Sequence, residues 1–290
     1  MSYNQPMLPE ACFKGKTVII TGGGTGLGKS VAKYLAQLGA NIVITSRRED
    51  VLNEAADEIR KDSNAEVLTV AGDVRIIEQV ENVLNKAIEK FGKVDILLNN
   101  AAGNFVSPTE KLSHRAFESV IGIVLQGTIN FTLTCGKYWI KEGIKGNILN
   151  ITTTYAFTGT SFTVPSACAK AGVMALTRSL AVEWASKYGI RVNAVSPGPF
   201  PTEGAWSRLI PEAIQDLIDP TKRVPLKRVG EHQELANLCA FIMSDYASYI
   251  NGADINIDGG EWLQGAGMFN GYLNIPTQMW DMMEQMRKPK

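Results

Sequence analysis

"TVIITGGGTGLGKSVAKYL", residues 17–35, joins a β-branched run, a glycine-rich turn and a segment of helical period. Thr17 to Thr21 reads as a buried strand. Val31, Leu35 and Leu38 recur at three- and four-residue spacing, which gives a helix over 28–38 one apolar face. Between the two, Gly22, Gly24, Gly26 and Gly28 carry no Cβ, with Thr25 and Leu27 interleaved. A chain of this kind turns tightly and lets a pyrophosphate approach the free N–H groups at the start of the helix. Strand, glycine turn and helix in this order predict the opening βα unit of a dinucleotide-binding sheet.

Six further runs follow, at 41–45, 66–71, 94–99, 147–152, 190–196 and 253–257, with helical segments between them. Strands alternating with helices imply right-handed crossovers and a parallel sheet buried on both faces. The expected fold is therefore α/β, a doubly wound Rossmann sheet of about seven strands. With 290 residues and 45% hydrophobic content, one domain over 1–290 is the expectation. Residues 14–260 form its core, the proline-punctuated stretch 200–230 a flap over a site, and 261–290 a docking tail. That tail holds Trp262, Phe269, Tyr272, Trp280 and several methionines, too apolar to remain solvated alone.

Formal net charge is zero and the isoelectric point about 6.8, so no global field recruits nucleic acid or an anionic membrane. No stretch approaches the roughly 20 consecutive apolar residues of a membrane span, and no secretory signal opens the chain. Cys12, Cys135, Cys168 and Cys239 are scattered, which predicts no metal site or disulfide framework and a reducing cytoplasmic setting. His114 and His232 read as surface helix-start residues without a role.

The end of the second strand sits where a carboxylate would hold a ribose 2′-hydroxyl. Ser46, Arg47 and Arg48 stand there instead. A hydroxyl and guanidinium forks bind a 2′-phosphate that a carboxylate would repel, so NADP(H) is the expected cofactor.

"TGGGTGLG" at 21–28, "GDV" at 72–74, "NNAAG" at 99–103, "YGIRVNAVSPGP" at 188–199 and "INGADINIDGG" at 250–260 together resemble the short-chain dehydrogenase/reductase family. The resemblance implies that Asp73 and Val74 contact the adenine and that Asn99, Asn100, Ala101, Ala102 and Gly103 lie under the cofactor. It places Thr152, Pro197, Gly198, Pro199 and Thr202 along the nicotinamide and pyrophosphate. It also implies a homotetramer, with the helices after the fourth and fifth strands at one interface. Most members use Ser, Tyr and Lys with an assisting Asn. Here Lys170 is kept, but Ser166 stands at the Tyr position, Thr153 near the Ser position and Val124 at the Asn position.

"NNAAGNFVSPTE", "ITTTYAFTG", "VPSACAKAGV" and "PGPFPTEGAWSRL" are similar to the 2,4-dienoyl-CoA reductase branch of that family. What this implies is NADPH-dependent reduction of a 2,4-dienoyl thioester to a 3-enoyl thioester in fatty-acid breakdown. Tyr155 would donate the proton and Asn104 would hold the thioester oxygen, with Ser166 and Lys170 in support. The chemistry is consistent with such a set, because hydride addition at the far end of the diene delivers charge to an oxygen several bonds away. Ser166 and Lys170 share one helix face at four-residue spacing. Phe105, Phe157, Phe162, Phe200 and Trp206 are candidates for an acyl slot. Arg208, Lys222, Arg223, Lys227 and Arg228 are candidates for coenzyme A phosphates. Two alternatives stay open: another enoyl-thioester or 3-oxoacyl-carrier-protein reductase, and an NADP(H)-binding sensor without turnover.

Overall fold

A computed structural model describes residue 3, residues 7–202 and residues 219–287 of the chain. Seven strands form one parallel sheet: β1 (Thr17–Thr21), β2 (Asn41–Ser46), β3 (Val67–Ala71), β4 (Ile96–Asn99), β5 (Asn147–Ile151), β6 (Arg191–Pro197) and β7 (Asp254–Ile257). Their order across the sheet is β3-β2-β1-β4-β5-β6-β7. The expected doubly wound sheet is present, each strand within two residues of its expected bounds. Strand order reverses beside β1, so a crevice opens beyond the C-terminal ends of β1 and β4, the usual ligand position in such sheets.

Period-two alternation divides β1 between the two faces. Val18 and Ile20 join one buried cluster with Val31 and Leu35 of α1 (Gly26–Gln37), Leu52 of α2 (Glu49–Asp62) and Leu235 of α8 (His232–Met243). Ile19 joins the other, with Val80 and Val83 of α3 (Ile77–Phe91), Phe131 and Trp139 of α5 (Gly127–Glu142), and Leu180 and Trp184 of α7 (Val164–Tyr188). A strand sandwiched in this way has no polar face, which is why the runs read as continuous apolar stretches rather than alternating ones. Between β5 and α7 lies a single helical turn, α6 (Tyr155–Thr158).

The helix α4 (His114–Ile121) runs into a π-helical turn, Gly122–Gln126, and then α5. Among the described residues this run, His114–Glu142, is apolar and long enough to cross a bilayer, against the expectation of none. Half of its apolar window is buried in the fold, and Phe131, Cys135 and Trp139 of this run pack on the sheet.

The tail begins with α9 (Glu261–Ala266) and ends with α10 (Thr277–Arg287). Trp262 stacks on Phe157 of α6, ring centroids 5.3 Å apart, so the tail does touch its own subunit. Leu263, Met268, Phe269, Leu273 and Met286 nevertheless remain exposed.

Candidate active site

The phosphate loop occupies the crevice as its glycines require. A Cβ on Gly28 would lie 2.4 Å from Asn100 Nδ2 and 2.6 Å from the Gly22 carbonyl oxygen, so no side chain fits there. Asn100 is the brace: its amide donates to the Thr21 and Gly22 carbonyls at 3.0 and 3.2 Å, and its own N–H donates to Thr21 Oγ1 at 3.0 Å. Thr25 caps α1 in extended geometry without a side-chain hydrogen bond. The first-turn N–H groups of α1 are thus left for an anion, and the cradle fits a pyrophosphate.

Two cavities meet on this loop, sharing Gly22, Thr25, Ala101 and Ala102. The first, about 490 Å³, adds Gly24, Ser46, Arg47, Arg48, Asp73, Val74 and Ile123. Arg47 and Arg48 are exposed, and among the described residues neither pairs with an acid, so their guanidiniums can meet a phosphate. Asp73 is otherwise engaged. Arg75, a residue that the motif reading passed over, grips both of its carboxylate oxygens at 2.5–3.1 Å and holds its pKa below the usual range. Among the described residues Asp73 is the one carboxylate lining this cavity, and Arg75 compensates its charge, which makes the cavity more hospitable to a phosphate.

The second cavity, about 410 Å³, runs from Gly26 and Leu27 past Asn100 and Gly103 to Asn104, Tyr155, Ser166, Lys170, Pro197, Gly198, Phe200 and Thr202. Thr202 lies against the loop, since a Cβ on Gly26 would come within 3.2 Å of its Cγ2. Pro199 sits beside this wall, lining a smaller hollow with Phe200 and Gly230.

Three polar groups converge at one end of the second cavity. Tyr155 Oη is 3.0 Å from Ser166 Oγ and 3.4 Å from Asn104 Nδ2, which donates to it. Asn104 Oδ1 accepts from the Phe105 N–H at 2.9 Å, and this orients the amide so that its NH₂ faces the phenol. Ser166 stands in the first turn of α7, beside Pro165, whose missing N–H costs nothing there. One turn on, Lys170 is buried and its Nζ donates to the Ile151 carbonyl at the end of β5. Burial pushes the ammonium down to about 8, opposed by the negative charge of Asp254.

Asp254, on edge strand β7, is a second residue that sequence reasoning missed. Its carboxylate accepts from Ser196 Oγ at 2.7 Å and from Thr152 Oγ1 at 3.1 Å. Burial raises its pKa, while those hydroxyls, Arg178 and Lys170 act against the rise. Thr152 lines the cavity, but its hydroxyl is turned into this network and not toward a ligand. No motif links Asp254 to Lys170. Only the pairing of β6 with β7 brings the carboxylate beneath α7.

Other expectations fall elsewhere. Val124, at the assisting-Asn position, lies in the π-helical turn, buried against Val120 and Ala169, where an apolar side chain is the better fit. Phe105 packs on that same cluster, and Phe157 faces outward between Trp262 and the Arg178 guanidinium, so neither lines the cavity. Phe162 is exposed and Phe200 lines the cavity. Trp206 and Arg208 lie outside the described residues, as does most of the expected flap. Arg223 pairs with Glu261, and Arg228 is forked onto Glu234 at 2.7 Å, which leaves Lys222 and Lys227 unpaired among the described residues. His232 does begin a helix but is half-buried and doubly hydrogen-bonded, unlike exposed His114.

Residues 22–261 match a family model described as "Enoyl-(Acyl carrier protein) reductase". Among similar proteins is a Caenorhabditis elegans chain named "Probable 2,4-dienoyl-CoA reductase 3 [(3E)-enoyl-CoA-producing]". It is 46% identical over 89% of this chain and 84% of its own. A Bacillus subtilis protein, "Probable 2,4-dienoyl-CoA reductase [(2E)-enoyl-CoA-producing]", is 45% identical over 86% of this chain and 97% of its own. The crystal structure of a short chain dehydrogenase from Bacillus anthracis superposes with a TM-score of 0.78 at 46% identity. It covers 86% of this chain and 97% of that one. The parallel sheet with its braced glycine loop, together with these matches across nearly the whole length of the relatives, shows that the chain belongs to the short-chain dehydrogenase/reductase family.

Proposed function

We propose that the protein reduces 2,4-dienoyl-CoA thioesters to 3-enoyl-CoA with NADPH, in the breakdown of unsaturated fatty acids. The observation that carries this reading is the contact of Asn104 Nδ2, Tyr155 Oη and Ser166 Oγ within one cavity that also holds Lys170. The names of the Caenorhabditis and Bacillus relatives support the substrate class.

Bound NADPH supplies the hydride. Addition of that hydride at C5 of the dienoyl group would move the C4=C5 π pair to C3=C4, the C2=C3 pair to C1=C2 and the carbonyl π pair onto the thioester oxygen, giving a dienolate. Asn104 donates an N–H to that oxygen, a stabilisation worth most in a site closed to water. Tyr155, in contact with the Asn104 amide, is then the acid beside the held oxygen, and C2 is the carbon adjoining the carbonyl. The phenol delivers the proton there, which leaves C3=C4 in the product. Protonation at C4 would leave a 2-enoyl product, farther from the group that holds the oxygen. Ser166 bonds the phenol and fixes its direction. The Lys170 ammonium carries the positive charge that makes loss of the phenolic proton easier and donates to the ribose hydroxyls.

The Arg47 and Arg48 guanidiniums, with Ser46, take the 2′-phosphate of the adenosine, and Arg75 removes the competing charge of Asp73. Among the described candidates, Lys222 and Lys227 are the cations left for coenzyme A phosphates. The chain works as one domain in a homotetramer, to which exposed Val182 on α7 and Leu133 on α5 contribute apolar surface. Its four free cysteines suit a reducing cytoplasm.

Purified protein given a 2,4-dienoyl-CoA is expected to oxidise NADPH in preference to NADH and to yield the 3-enoyl thioester, identified by proton NMR. No oxidation across several chain lengths overturns the reading, and a 2-enoyl product overturns the assigned site of protonation.

A further inference from the structure

We propose that His232 is a positioning residue for the cofactor cavity, bracketing the Pro201–Thr202 wall against the phosphate-loop helix α1. The proposal rests on the reading that this cavity holds NADP(H). His232 is the first residue of α8 and bonds on both sides. Its Nε2 lies 2.7 Å from the Pro201 carbonyl oxygen, and its Nδ1 lies 2.9 Å from Ser30 Oγ on α1. Ser30 Oγ lies 3.1 Å from the Gly26 carbonyl, inside the glycine loop.

Proton counting fixes the roles. A carbonyl only accepts, so Nε2 donates to Pro201. In the neutral ring Nδ1 can then only accept, so the single Ser30 hydroxyl proton is shared between Nδ1 at 2.9 Å and the Gly26 carbonyl at 3.1 Å. The imidazole thus spans the strand-exit segment after β6 and the start of α1, and among the described residues no other hydrogen bond joins these two elements.

That segment is the far wall of the cavity, and Gly230 together with the first residue of α8 pins it residue by residue. The Gly230 N–H donates to the Pro199 carbonyl at 3.0 Å. The Phe200 ring lies so close over Gly230 that a Cβ there would meet it at 2.3 Å. His232 then holds Pro201, and the next residue, Thr202, meets Gly26. The holding end is itself rigid. Arg228 forks onto Glu234 at 2.7 Å, and Glu231 and Glu234 form a capping box at the start of α8. The separation of Gly26 and Thr202 is therefore held by the imidazole together with the Gly230–Pro199 bond and the Phe200–Gly230 contact.

Gln and Asn separate its two links. The Gln amide nitrogen stands where Nε2 does and keeps the Pro201 bond, whereas the Asn amide stands where Nδ1 does and keeps the Ser30 bond. Titration of the full chain with NADP⁺ by calorimetry, with thermal midpoints measured alongside, is expected to show His232→Phe weakened roughly tenfold, the scale of one lost hydrogen bond at a site that must stay ordered. His232→Gln recovers to within about threefold of wild type and His232→Asn does not, while their thermal midpoints stay alike. Wild-type affinity in His232→Phe overturns the proposal. So does equal weakening in Gln and Asn that tracks their thermal midpoints, which marks a residue that only stabilises the fold. If His232→Phe fails to fold, the Gln–Asn comparison decides. Wild-type protein that binds no nicotinamide dinucleotide overturns the cofactor reading together with this one, whereas binding that is indifferent to His232 overturns this one alone.

Discussion

Replacing Lys170 by methionine is expected to stabilise the apoprotein while it abolishes turnover. The ammonium is buried and sits at about 8 against an ordinary value of 10.5, so keeping it charged inside the fold costs about 3 kcal/mol. Methionine has a similar volume and carries no charge, and removal of buried charge in favour of apolar packing is commonly stabilising. Against this gain, the Ile151 carbonyl loses its donor, a penalty of about 1–2 kcal/mol. The net expectation is about 1–2 kcal/mol in favour of Lys170→Met at pH 7, or a thermal midpoint raised by about 2–4 °C in a chain of this size. Linkage gives the sign with pH. Below about 8 the lysine is charged in both folded and unfolded states, and the full penalty is present. Between about 8 and 10.5 only the unfolded chain keeps the proton, so wild-type stability rises and the advantage of the variant shrinks. Differential scanning calorimetry of both apoproteins at pH 7 and pH 9.5 measures this directly. A Lys170→Met midpoint below wild type at pH 7, or an advantage that grows with pH, refutes the reasoning.

Asp254→Asn removes the negative charge that opposes the fall in the Lys170 pKa, so the ammonium is lost at lower pH. The alkaline limb of the kcat/KM profile, placed near pH 8 in wild type, is expected to move to lower pH, and an unmoved limb contradicts the coupling. Replacing both Arg47 and Arg48 by alanine is expected to weaken NADPH about 10- to 100-fold and to leave NADH within about twofold, the scale of charge-assisted bonds to the 2′-phosphate. Equal weakening of both dinucleotides places the arginines away from that phosphate.

The sheet was legible because a strand buried on both faces is written in near-continuous β-branched and apolar residues, and the Thr17–Thr21 run and the IVIT at 42–45 carry that signature. The strand expected over 94–99 begins two residues late, because Asp95 uses its carboxylate to accept from the Thr17 N–H and from Lys93. Tyr155, Ser166, Lys170 and Asn104 were legible as a set through the resemblance, and the structure brings all four to one cavity. Arg75, Asp254 and His232 were not legible. Each acts through a partner distant in sequence or through a turn whose geometry no spacing encodes, as with His232 and Ser30, 202 residues apart. Phe157 failed as a slot residue for a related reason. A single exposed helical turn gives no periodicity from which its direction can be read, and Trp262 arrives from the tail to claim it.

The central claim is that the acid stands at position 155 and serves a dienoyl thioester, although position 166 is serine. The most direct test is a single-turnover reaction of wild type and Tyr155→Phe, each preloaded with NADPH and mixed with a 2,4-dienoyl-CoA. The account predicts 3-enoyl-CoA from wild type, and from the variant unchanged NADPH binding with product formation slower by at least about a hundredfold. Full-rate product formation by Tyr155→Phe, or none by wild type, contradicts it.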